Sequence, residues 1–568
     1  MVRREASAPL LANEDPRDSF DEDERALLQQ EENKQIRRER RRMVLCLGLA
    51  IILTTSAAAF TFFFAKKSLG KRTRAHDSPG CMTRRSRNVI MMVTDGFGPA
   101  SQTYGRSFYQ FTHNKSEEYM SPLDEILVGT SRTRSSDSLV TDSAAGATAF
   151  SCALKTYNAA VGVDTNGTPC GTILEAAKDL GMLTGLVVTS RVTHATPAAF
   201  SAHVIHRDME SEIAAQQTGY YPLNRQVDLL LGGGRCFFMP NTTAGSCRSD
   251  DKNLIELAQT EKGWKTIMLD RKAFDAQKPE DIELPVMGLF NLDHMNYEID
   301  RDPAQEPSLK EMAAAALKSL KANTGPNQGF FLMIEGSRID MGAHNNDPVA
   351  HVHDIMQYYE TVAVVRKFVA NNPDTLVIST SDHETGGFTL GLQPDPNSYP
   401  DYLWKPEVIK RAKASTEILT QKLVAYQAGE GKGSNHKHRR EFVKTEILKH
   451  GMGITDATED EIEFLANPST PPSQILPFLG HAISFRAYLG WTTMGHTGVD
   501  VNLYATGEQS EKLRGNHENT DIGKLMTEYL NVNLDYITRK LEIGEWFKFD
   551  RSLFGSMNHR SEHERSGR

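Results

Sequence analysis

The sequence is poor in cysteine and has no excess of positive charge. Six of the 568 residues are cysteine, too few for a small scaffold held together by disulfide bonds. The formal net charge of −9 lacks the basic balance typical of nucleic-acid-binding proteins, so we expect no nucleic-acid partner. Apolar residues make up 39% and charged residues 24% of the chain. These proportions exclude a collagen, a wholly disordered chain and a polytopic membrane protein.

One segment, residues 43–65, carries no charge at all. As a helix it would be roughly 35 Å long, enough to cross a bilayer core of about 30 Å. A cleaved signal peptide is the alternative, but its apolar region is shorter and starts nearer the N-terminus. A dense arginine cluster at residues 37–42 precedes the segment and favours a cytosolic N-terminus, although lysines follow it. We therefore predict a single transmembrane helix and a type II membrane protein.

The segments around this helix differ in composition. Residues 1–42 are polar and charged, which predicts a disordered cytosolic tail. This tail contains the pairs Leu10–Leu11 and Leu27–Leu28. The second pair resembles an acidic dileucine sorting signal for endosomal, vacuolar or lysosomal routes, so a sorting adaptor is a candidate partner. A short amphipathic turn is the alternative. We assign residues 66–86 to a linker, 87–545 to the folded domain with a helical insertion near 400–480, and 546–568 to a polar tail.

Cysteines and glycosylation sequons follow the predicted span. Cys236 and Cys247 are close enough in sequence for a local disulfide bond. Cys152 follows a run of small residues and is expected to be a buried thiol, and a fully reduced set of cysteines is the alternative. Three sequons also follow the span, at Asn114, Asn166 and Asn241. These features suit a glycoprotein whose folded domain lies outside the cytosol.

Short apolar runs recur along the folded domain, each ending in a polar residue followed by small residues. They occupy residues 88–94, 184–189, 330–334 and 375–380. Continuous apolar runs bounded by turns are typical of strands buried on both faces of a parallel sheet. Helical patterns lie between them, as at residues 171–180 and 307–321. The fold class predicted is α/β, with a central, mainly parallel sheet flanked by helices.

Ligands of open α/β sheets bind at the carboxyl ends of the strands. The predicted strand ends carry a set of residues that could bind a metal or act in catalysis: Asp95, His194, Glu335, Asp382 and His383. Any one of them could be a turn or capping residue. Their occurrence together at one edge favours a functional site.

Ser143 opens a stretch of small residues that predicts a helix. A serine there could simply cap the helix. A helix N-terminus also attracts anions, and small side chains let a phosphate approach the backbone. A serine hydroxyl needs a base or a metal to act as a nucleophile. No GxSxG motif surrounds Ser143, which disfavours a Ser-His-Asp hydrolase.

Residues with metal-ligating side chains occur at suitable spacings. Asp340 and His344 are four residues apart, which places both on one face of a helix. Asp382–His383 offers adjacent oxygen and nitrogen ligands, and His496 lies in a loop of small residues. Carboxylate with imidazole suits zinc. Oxygen ligands suit magnesium, and the candidates are Asp95, Thr196 and Glu335.

Arg207 could bind two phosphate oxygens at once. An isolated arginine is more often a partner in a surface ion pair, so this residue alone decides nothing.

At these residues the sequence resembles the alkaline phosphatase family. Seven motifs carry the resemblance, in the family's order: VTDGFG, VTDSAAGATAF, THATPAAFSAHVIHR, LGGGR, FFLMIEGSRIDMGAH, STSDHETGG and GHTG. The resemblance covers residues 87–537. A cytosolic tail followed by one N-terminal span is most similar to the vacuolar alkaline phosphatases of fungi.

The resemblance implies hydrolysis of small phosphate monoesters through a phosphoserine intermediate in the vacuole lumen. It also implies a homodimer with two Zn²⁺ and one Mg²⁺ per subunit. Ser143 matches the phosphorylated serine and Arg207 the arginine that binds phosphate. The metal positions match as follows: Asp340, His344 and His496 at one zinc; Asp95, Asp382 and His383 at the other; Asp95, Thr196 and Glu335 at magnesium; and His194 beside the metals.

One position departs from the family pattern. Met341 stands where relatives carry lysine or histidine near the phosphate, so the phosphate affinity and pH optimum do not carry over. Three other functions remain open at this point. They are a related phosphodiesterase or sulfatase, a metal-independent serine hydrolase, and a type II receptor that has kept the fold without the activity. No Cys/Ser-x-Pro-x-Arg motif supports a sulfatase.

Overall fold

The computed structural model describes residues 86–433 and 435–543. The predicted transmembrane helix 43–65, the tails 1–42 and 546–568 and all but the last residue of the linker lie outside this part of the chain. Within it, no helix combines the length and apolar character needed to cross a membrane.

The strands of the described chain are short. Their bounds are β1 Asn88–Val93, β2 Leu127–Arg132, β3 Leu183–Arg191, β4 Leu229–Gly233, β5 Thr266–Met268, β6 Val286–Leu289, β7 Phe330–Glu335, β8 Thr375–Thr380, β9 Glu384–Thr385, β10 His496–Thr497, β11 Val501–Gly507 and β12 Gly515–Glu518. Ten of them form one sheet in the order β12-β2-β11-β8-β1-β7-β3-β4-β6-β5, and β9 pairs with β10 separately.

The sheet is parallel except around one strand. β1 lies in its middle, where Met91 is opposite Met333 of β7 and Ile378 of β8, both in parallel register. β11 runs antiparallel to both of its neighbours, β2 and β8. The predicted fold class, α/β with a mainly parallel sheet, is therefore confirmed.

Both faces of the sheet are buried, which explains the unbroken apolar runs. Successive side chains of a strand point to opposite faces. Accordingly Ile90 and Met92 join one hydrophobic cluster, and Val89 and Met91 join the other. Helices cover both clusters, as expected for a parallel sheet.

The α-helices of the described chain have the following bounds: α1 Pro99–Thr112, α2 Ser143–Cys152, α3 Ile173–Asp179, α4 Ala195–Ser201, α5 Glu210–Thr218, α6 Leu254–Thr260, α7 Arg271–Asp275, α8 Leu309–Asn323, α9 Arg338–His344, α10 Pro348–Ala370, α11 Pro406–Arg411, α12 Thr416–Ala428, α13 His436–Phe442, α14 Glu459–Ala466, α15 Pro472–Ala487, α16 Asn519–Leu530 and α17 Leu534–Leu541. A π-helix, Val443–Gly451, follows α13. Short 3₁₀ turns lie at Asp124–Ile126, Arg235–Phe238, Pro279–Asp281 and Ser510–Leu513.

The segment from α11 to α15 forms a helical layer whose buried residues, such as Ile409, Leu419 and Ile483, belong to the same core cluster as Ile90. It therefore shares the core of the sheet.

Two disulfide bonds close short loops. Cys236 is bonded to Cys247, which confirms the local bridge. Cys152 is bonded to Cys170, so the expectation of a buried thiol at Cys152 was wrong. The physical reason is the return of the chain after α2: an antiparallel bridge between Val163 and Pro169 brings Cys170 back to the end of that helix.

Candidate active site

The ends of three neighbouring strands bring buried carboxylates together. Asp95 follows β1, Glu335 is the last residue of β7, and Asp382 and His383 follow β8. These strands lie side by side in the order β8-β1-β7. All four residues are completely buried. Parallel strands end at the same edge of a sheet, and this edge is where the sequence pattern predicts a site.

Helix α9 and strand β10 add a second set of side chains. Asp340 and His344 lie one turn apart on α9, with 3.3 Å between Asp340 Oδ2 and His344 Nε2. His496 begins β10, and its Nε2 is 3.0 Å from His344 Nε2 and 3.8 Å from Asp340 Oδ1. The structure thus brings together the three residues that the resemblance assigns to one zinc.

His383 connects the two sets. Its Nε2 is 3.3 Å from Asp382 Oδ2 and 3.5 Å from Asp95 Oδ1. Its ring stacks on that of His496, with 3.5 Å between the ring centroids. Two groups can therefore each hold an ion: Asp95 with Asp382 and His383, and Asp340 with His383 and His496. The second group contains His383 where the resemblance implied His344. His344 nevertheless contacts the other two residues of this group, Asp340 and His496.

The carboxylates of the site are short of hydrogen-bond donors. Asp95 Oδ2, Asp382 Oδ2 and Glu335 Oε1 are buried and accept no hydrogen bond from the described residues. Burial raises the pKa of all three groups. Neighbouring carboxylates raise each pKa further, Asp382 acting on Asp95 and Asp340 acting on Asp382. Clustered, buried and unpaired carboxylates are costly unless a cation lies among them, so these residues fit a metal centre.

The imidazole orientations also fit a metal centre. His344 Nδ1 is 2.5 Å from the carbonyl oxygen of Met494, and His496 Nδ1 is 2.8 Å from that of Thr141. A carbonyl only accepts, so each Nδ1 carries the hydrogen. Both Nε2 atoms then present lone pairs to each other across 3.0 Å. This is how histidines that bind metals are usually oriented.

Ser143 lies beside these groups at the start of helix α2. Its hydroxyl oxygen is 3.1 Å from His383 Nε2 and 3.4 Å from Asp95 Oδ1. Every residue of α2 is buried. At Gly146 an added Cβ would stand only 2.9 Å from the Cβ of Asp382, so the small residues of this helix allow Ser143 to approach the strand ends.

Arg207 lies at the same edge and is fixed by two side chains. Its Nη1 donates to Asp142 Oδ2 at 3.1 Å, and its Nη2 is 3.1 Å from His194 Nε2. His194 therefore contacts the arginine, and it is absent from both possible metal groups within the described residues.

Glu335 has its own set of hydroxyl neighbours. The Ser337 hydroxyl donates to Glu335 Oε2 at 2.7 Å, and the Ser190 hydroxyl is 3.4 Å away. Burial raises the pKa of Glu335, and the hydroxyls of Ser337 and Thr196 oppose this rise. Thr196 is buried in α4. The oxygen-rich surroundings suit a hard ion.

Two residues of the site, Asp142 and Thr385, are not among those predicted from the sequence. Asp142 caps helix α2 through the Ala145 amide and also accepts from Arg207. Thr385 contacts both Asp340 and His383 through its hydroxyl. Asp142 is next to Ser143 and Thr385 is two residues after His383, and this adjacency was the only sequence signal for a role. Their contacts depend on distant parts of the chain.

The fold and this site define a member of a known enzyme family. The family description "Alkaline phosphatase" matches residues 86–532, and the chain belongs to the alkaline phosphatase family. It is an enzyme that hydrolyses phosphate monoesters. It is 49% identical to "Alkaline phosphatase" of Schizosaccharomyces pombe over 82% of this chain and 85% of that protein. It is 46% identical to "Repressible alkaline phosphatase" of Saccharomyces cerevisiae over 80% and 83%.

Solved structures agree with this assignment. The cold-active alkaline phosphatase of Shewanella sp. has a TM-score of 0.65 and 32% identity, over 78% of this chain and 99% of that one. A mutant of the alkaline phosphatase of the Antarctic bacterium TAB5, solved with Mg bound in its M3 site, has a TM-score of 0.54 and 25% identity, over 79% and 99%.

Proposed function

We propose that this enzyme hydrolyses phosphate monoesters in two steps, with a phosphoserine formed at Ser143 and with two Zn²⁺ and one Mg²⁺ bound. The observation that carries the proposal is the place of the Ser143 hydroxyl, within 3.4 Å of both His383 and Asp95 at the edge of the unpaired carboxylates. A hydroxyl so placed gains nucleophilicity from its neighbours.

The donor sets indicate which residues would hold the ions. The nitrogen-rich sets suit zinc, and we assign Asp340, His344 and His496 to one ion and Asp95, Asp382 and His383 to the other. The oxygen ligands Asp95, Thr196 and Glu335 suit magnesium. Bound ions would lower the pKa of the serine hydroxyl and neutralise charge on the phosphate.

The chain's own residues then account for the reaction. Arg207, held by Asp142 and His194, donates to two oxygens of the phosphate and orients it. The Ser143 oxygen forms a bond to phosphorus as the bond to the ester oxygen breaks and the alcohol leaves. Water next attacks the same phosphorus, which releases phosphate and restores the Ser143 hydroxyl. The N-terminus of helix α2 stabilises the anion in both steps.

The test compares Ser143→Ala with Ser151→Ala in the full chain. Ser151 lies on the same buried helix, where its hydroxyl donates to the Ala199 carbonyl, so it serves as a matched control. Release of p-nitrophenol from its phosphate ester is measured after chelation and after return of zinc and magnesium. We expect metal-restored activity in wild type and Ser151→Ala, and none in Ser143→Ala. Activity surviving in Ser143→Ala would sink the phosphoserine mechanism.

We also propose that the enzyme is a type II protein of the vacuole membrane with its catalytic domain in the lumen. The charge-free segment 43–65, the arginines before it and the likeness to fungal alkaline phosphatases support this. The test is protease protection in intact vacuoles combined with carbonate extraction. A catalytic domain accessible to protease in sealed vacuoles would contradict the orientation.

Glycosylation, sorting and dimerisation belong to the same proposal. The three sequon asparagines, Asn114, Asn166 and Asn241, are all exposed, so endoglycosidase should shift the wild-type band, and the shift should shrink with each Asn→Gln variant. A Leu27→Ala/Leu28→Ala variant should reach the vacuole less efficiently if a sorting adaptor binds that pair.

Light scattering of the detergent-solubilised enzyme should give the mass of a homodimer.

A further inference from the structure

Thr385 occupies a central position among the metal-ligating side chains. Its hydroxyl oxygen is 2.5 Å from Asp340 Oδ1 and 3.2 Å from His383 Nδ1. Its backbone is opposite His496 in the β9–β10 pair, and its amide donates to the carbonyl of Gly96, next to Asp95. The side chain is completely buried.

The hydrogens in this chain of contacts can be assigned. An ionised carboxylate only accepts, so the single hydrogen of the Thr385 hydroxyl points to Asp340. The hydroxyl oxygen is then the acceptor facing His383, which requires a hydrogen on His383 Nδ1. The lone pair of His383 is therefore on Nε2, the atom that lies 3.1 Å from the Ser143 hydroxyl.

We propose that Thr385 is a positioning residue, whose hydroxyl joins Asp340 to His383 and keeps His383 Nε2 directed at the Ser143 side of the site. The proposal rests on the metal sites of the proposed function. It adds a link between the two possible metal-binding groups, because Thr385 contacts Asp340 of one group and His383, which also belongs to the group with Asp95 and Asp382.

The residue type suits this role. A threonine is branched at Cβ and has few side-chain rotamers, so burial fixes the hydroxyl direction at little entropic cost. A serine keeps the hydroxyl but gains rotational freedom. A valine keeps the shape and removes the hydroxyl, which leaves His383 Nδ1 without this acceptor. Residues that orient metal-binding histidines typically contribute about 10–100-fold in metal affinity.

The experiment measures zinc retention in three variants of the full chain, Thr385→Val, Thr385→Ser and Thr361→Val. Thr361 is a matched control, since it is equally buried and its hydroxyl donates to the Gln357 carbonyl within helix α10. The loaded enzymes are mixed with a chelating dye, and both the rate and the amount of zinc released are recorded. The melting temperature of each metal-free protein is measured alongside.

We expect Thr385→Val to bind zinc about 10–100-fold more weakly, and Thr385→Ser and Thr361→Val to stay near wild type. In Thr385→Val, kcat should fall more than KM rises, because Arg207 is untouched. Zinc retention in Thr385→Val equal to that in Thr361→Val would overturn the proposal, as would a Thr385→Ser variant as weak as Thr385→Val. Should Thr385→Val not fold, Thr385→Ala replaces it in the same comparison. A wild-type enzyme that holds no zinc would instead contradict the proposed function.

Discussion

The guanidinium of Arg207 and the carboxylate of Asp142 lie 3.1 Å apart, and the other oxygen of that carboxylate caps the helix that begins with Ser143. One aspartate therefore fixes both Arg207 and the helix that begins with Ser143. A shift of α2 would move Ser143 and Arg207 together. This shared anchor preserves the distance between the Ser143 hydroxyl and the Arg207 guanidinium.

Replacing Arg207 by lysine should weaken phosphate binding. Lysine cannot reproduce the two-pronged contact of a guanidinium, and a hydrogen bond to a charged group contributes about 1.5–3 kcal/mol. We expect kcat/KM to fall about 10–100-fold and inhibition by inorganic phosphate to weaken. Steady-state kinetics with phosphate as inhibitor measure both. Arg225→Lys, which changes an arginine paired with Asp228 before β4, is the control and should behave as wild type.

Metal removal should make stability depend on pH at the site carboxylates. Burial and mutual repulsion raise the pKa of Asp95, Asp382 and Glu335 in the folded chain. A carboxyl with a raised pKa holds an extra proton in the folded state, so stability falls as pH rises from its ordinary pKa of about 4 toward the raised value. The melting temperature of the chelated enzyme should therefore drop from pH 5 to pH 8.

Two comparisons decide that prediction. The zinc- and magnesium-loaded enzyme should show a shallower drop, because bound cations favour the ionised carboxylates. Asp382→Asn removes one of the clustered charges and should raise the melting temperature of the chelated enzyme at pH 8. Parallel curves for the loaded and chelated enzymes would mean that the cluster does not control this stability.

The bond between Cys152 and Cys170 should stabilise the fold. It closes a loop with a sequence separation of 18, for which chain entropy predicts about 3 kcal/mol. We expect Cys152→Ala/Cys170→Ala to melt at a lower temperature than wild type. A reductant should lower the wild-type melting temperature, whereas a variant that also lacks Cys236 and Cys247 should not respond to it. Equal melting of wild type with and without reductant would argue against this contribution.

His203 should make stability fall at alkaline pH. It is fully buried, with Nε2 2.9 Å from Glu175 Oε1 and Nδ1 2.6 Å from the Gly162 carbonyl. Burial disfavours the imidazolium, but the charge and hydrogen bond of Glu175 and the Gly162 carbonyl together raise the pKa of His203. The stabilisation is complete below the ordinary histidine pKa of about 6.5 and is lost as pH rises through the raised value.

The measurement is the melting temperature from pH 6 to pH 9 for wild type and His203→Gln. Wild type should lose more stability than the variant over this range. His481→Gln is the control, since His481 is exposed and its Nε2 lies 3.0 Å from Asn346 Oδ1, with no carboxylate partner among the described residues. An identical pH slope in wild type and His203→Gln would rule out the charged pair.

The strands that carry the site were predictable because their chemistry is local. The run at residues 330–334 is apolar throughout, the run at residues 375–380 has an apolar centre at 376–378, and both form strands of the central sheet. The antiparallel direction of β11 was not predictable, since strand direction depends on the path of the chain between distant segments. The disulfide at Cys152 was missed for the same reason, because the chain's return to this helix is a tertiary feature.

In the candidate site, too, local features were predictable from the sequence and tertiary contacts were not. Asp340 and His344 share a helical face because of their spacing, and the structure places them together. No spacing rule predicts that His383 stacks on His496 or that Thr385 lies against Asp340. These contacts depend on how β9 pairs with β10, so the grouping of the candidate metal ligands could not be predicted from the sequence.

The pairing of β9 with β10 also bears on how the enzyme matures. His496 lies far along the chain, after the helical layer α11 to α15, whereas Asp95 and Ser143 are near the start of the folded domain. During synthesis early strands such as β3 and β4 can pair while the candidate metal ligand His496 is still untranslated. The candidate site is therefore complete only when nearly the whole domain has been made, because a chain that ends before residue 496 lacks both His496 and the partner strand of β9.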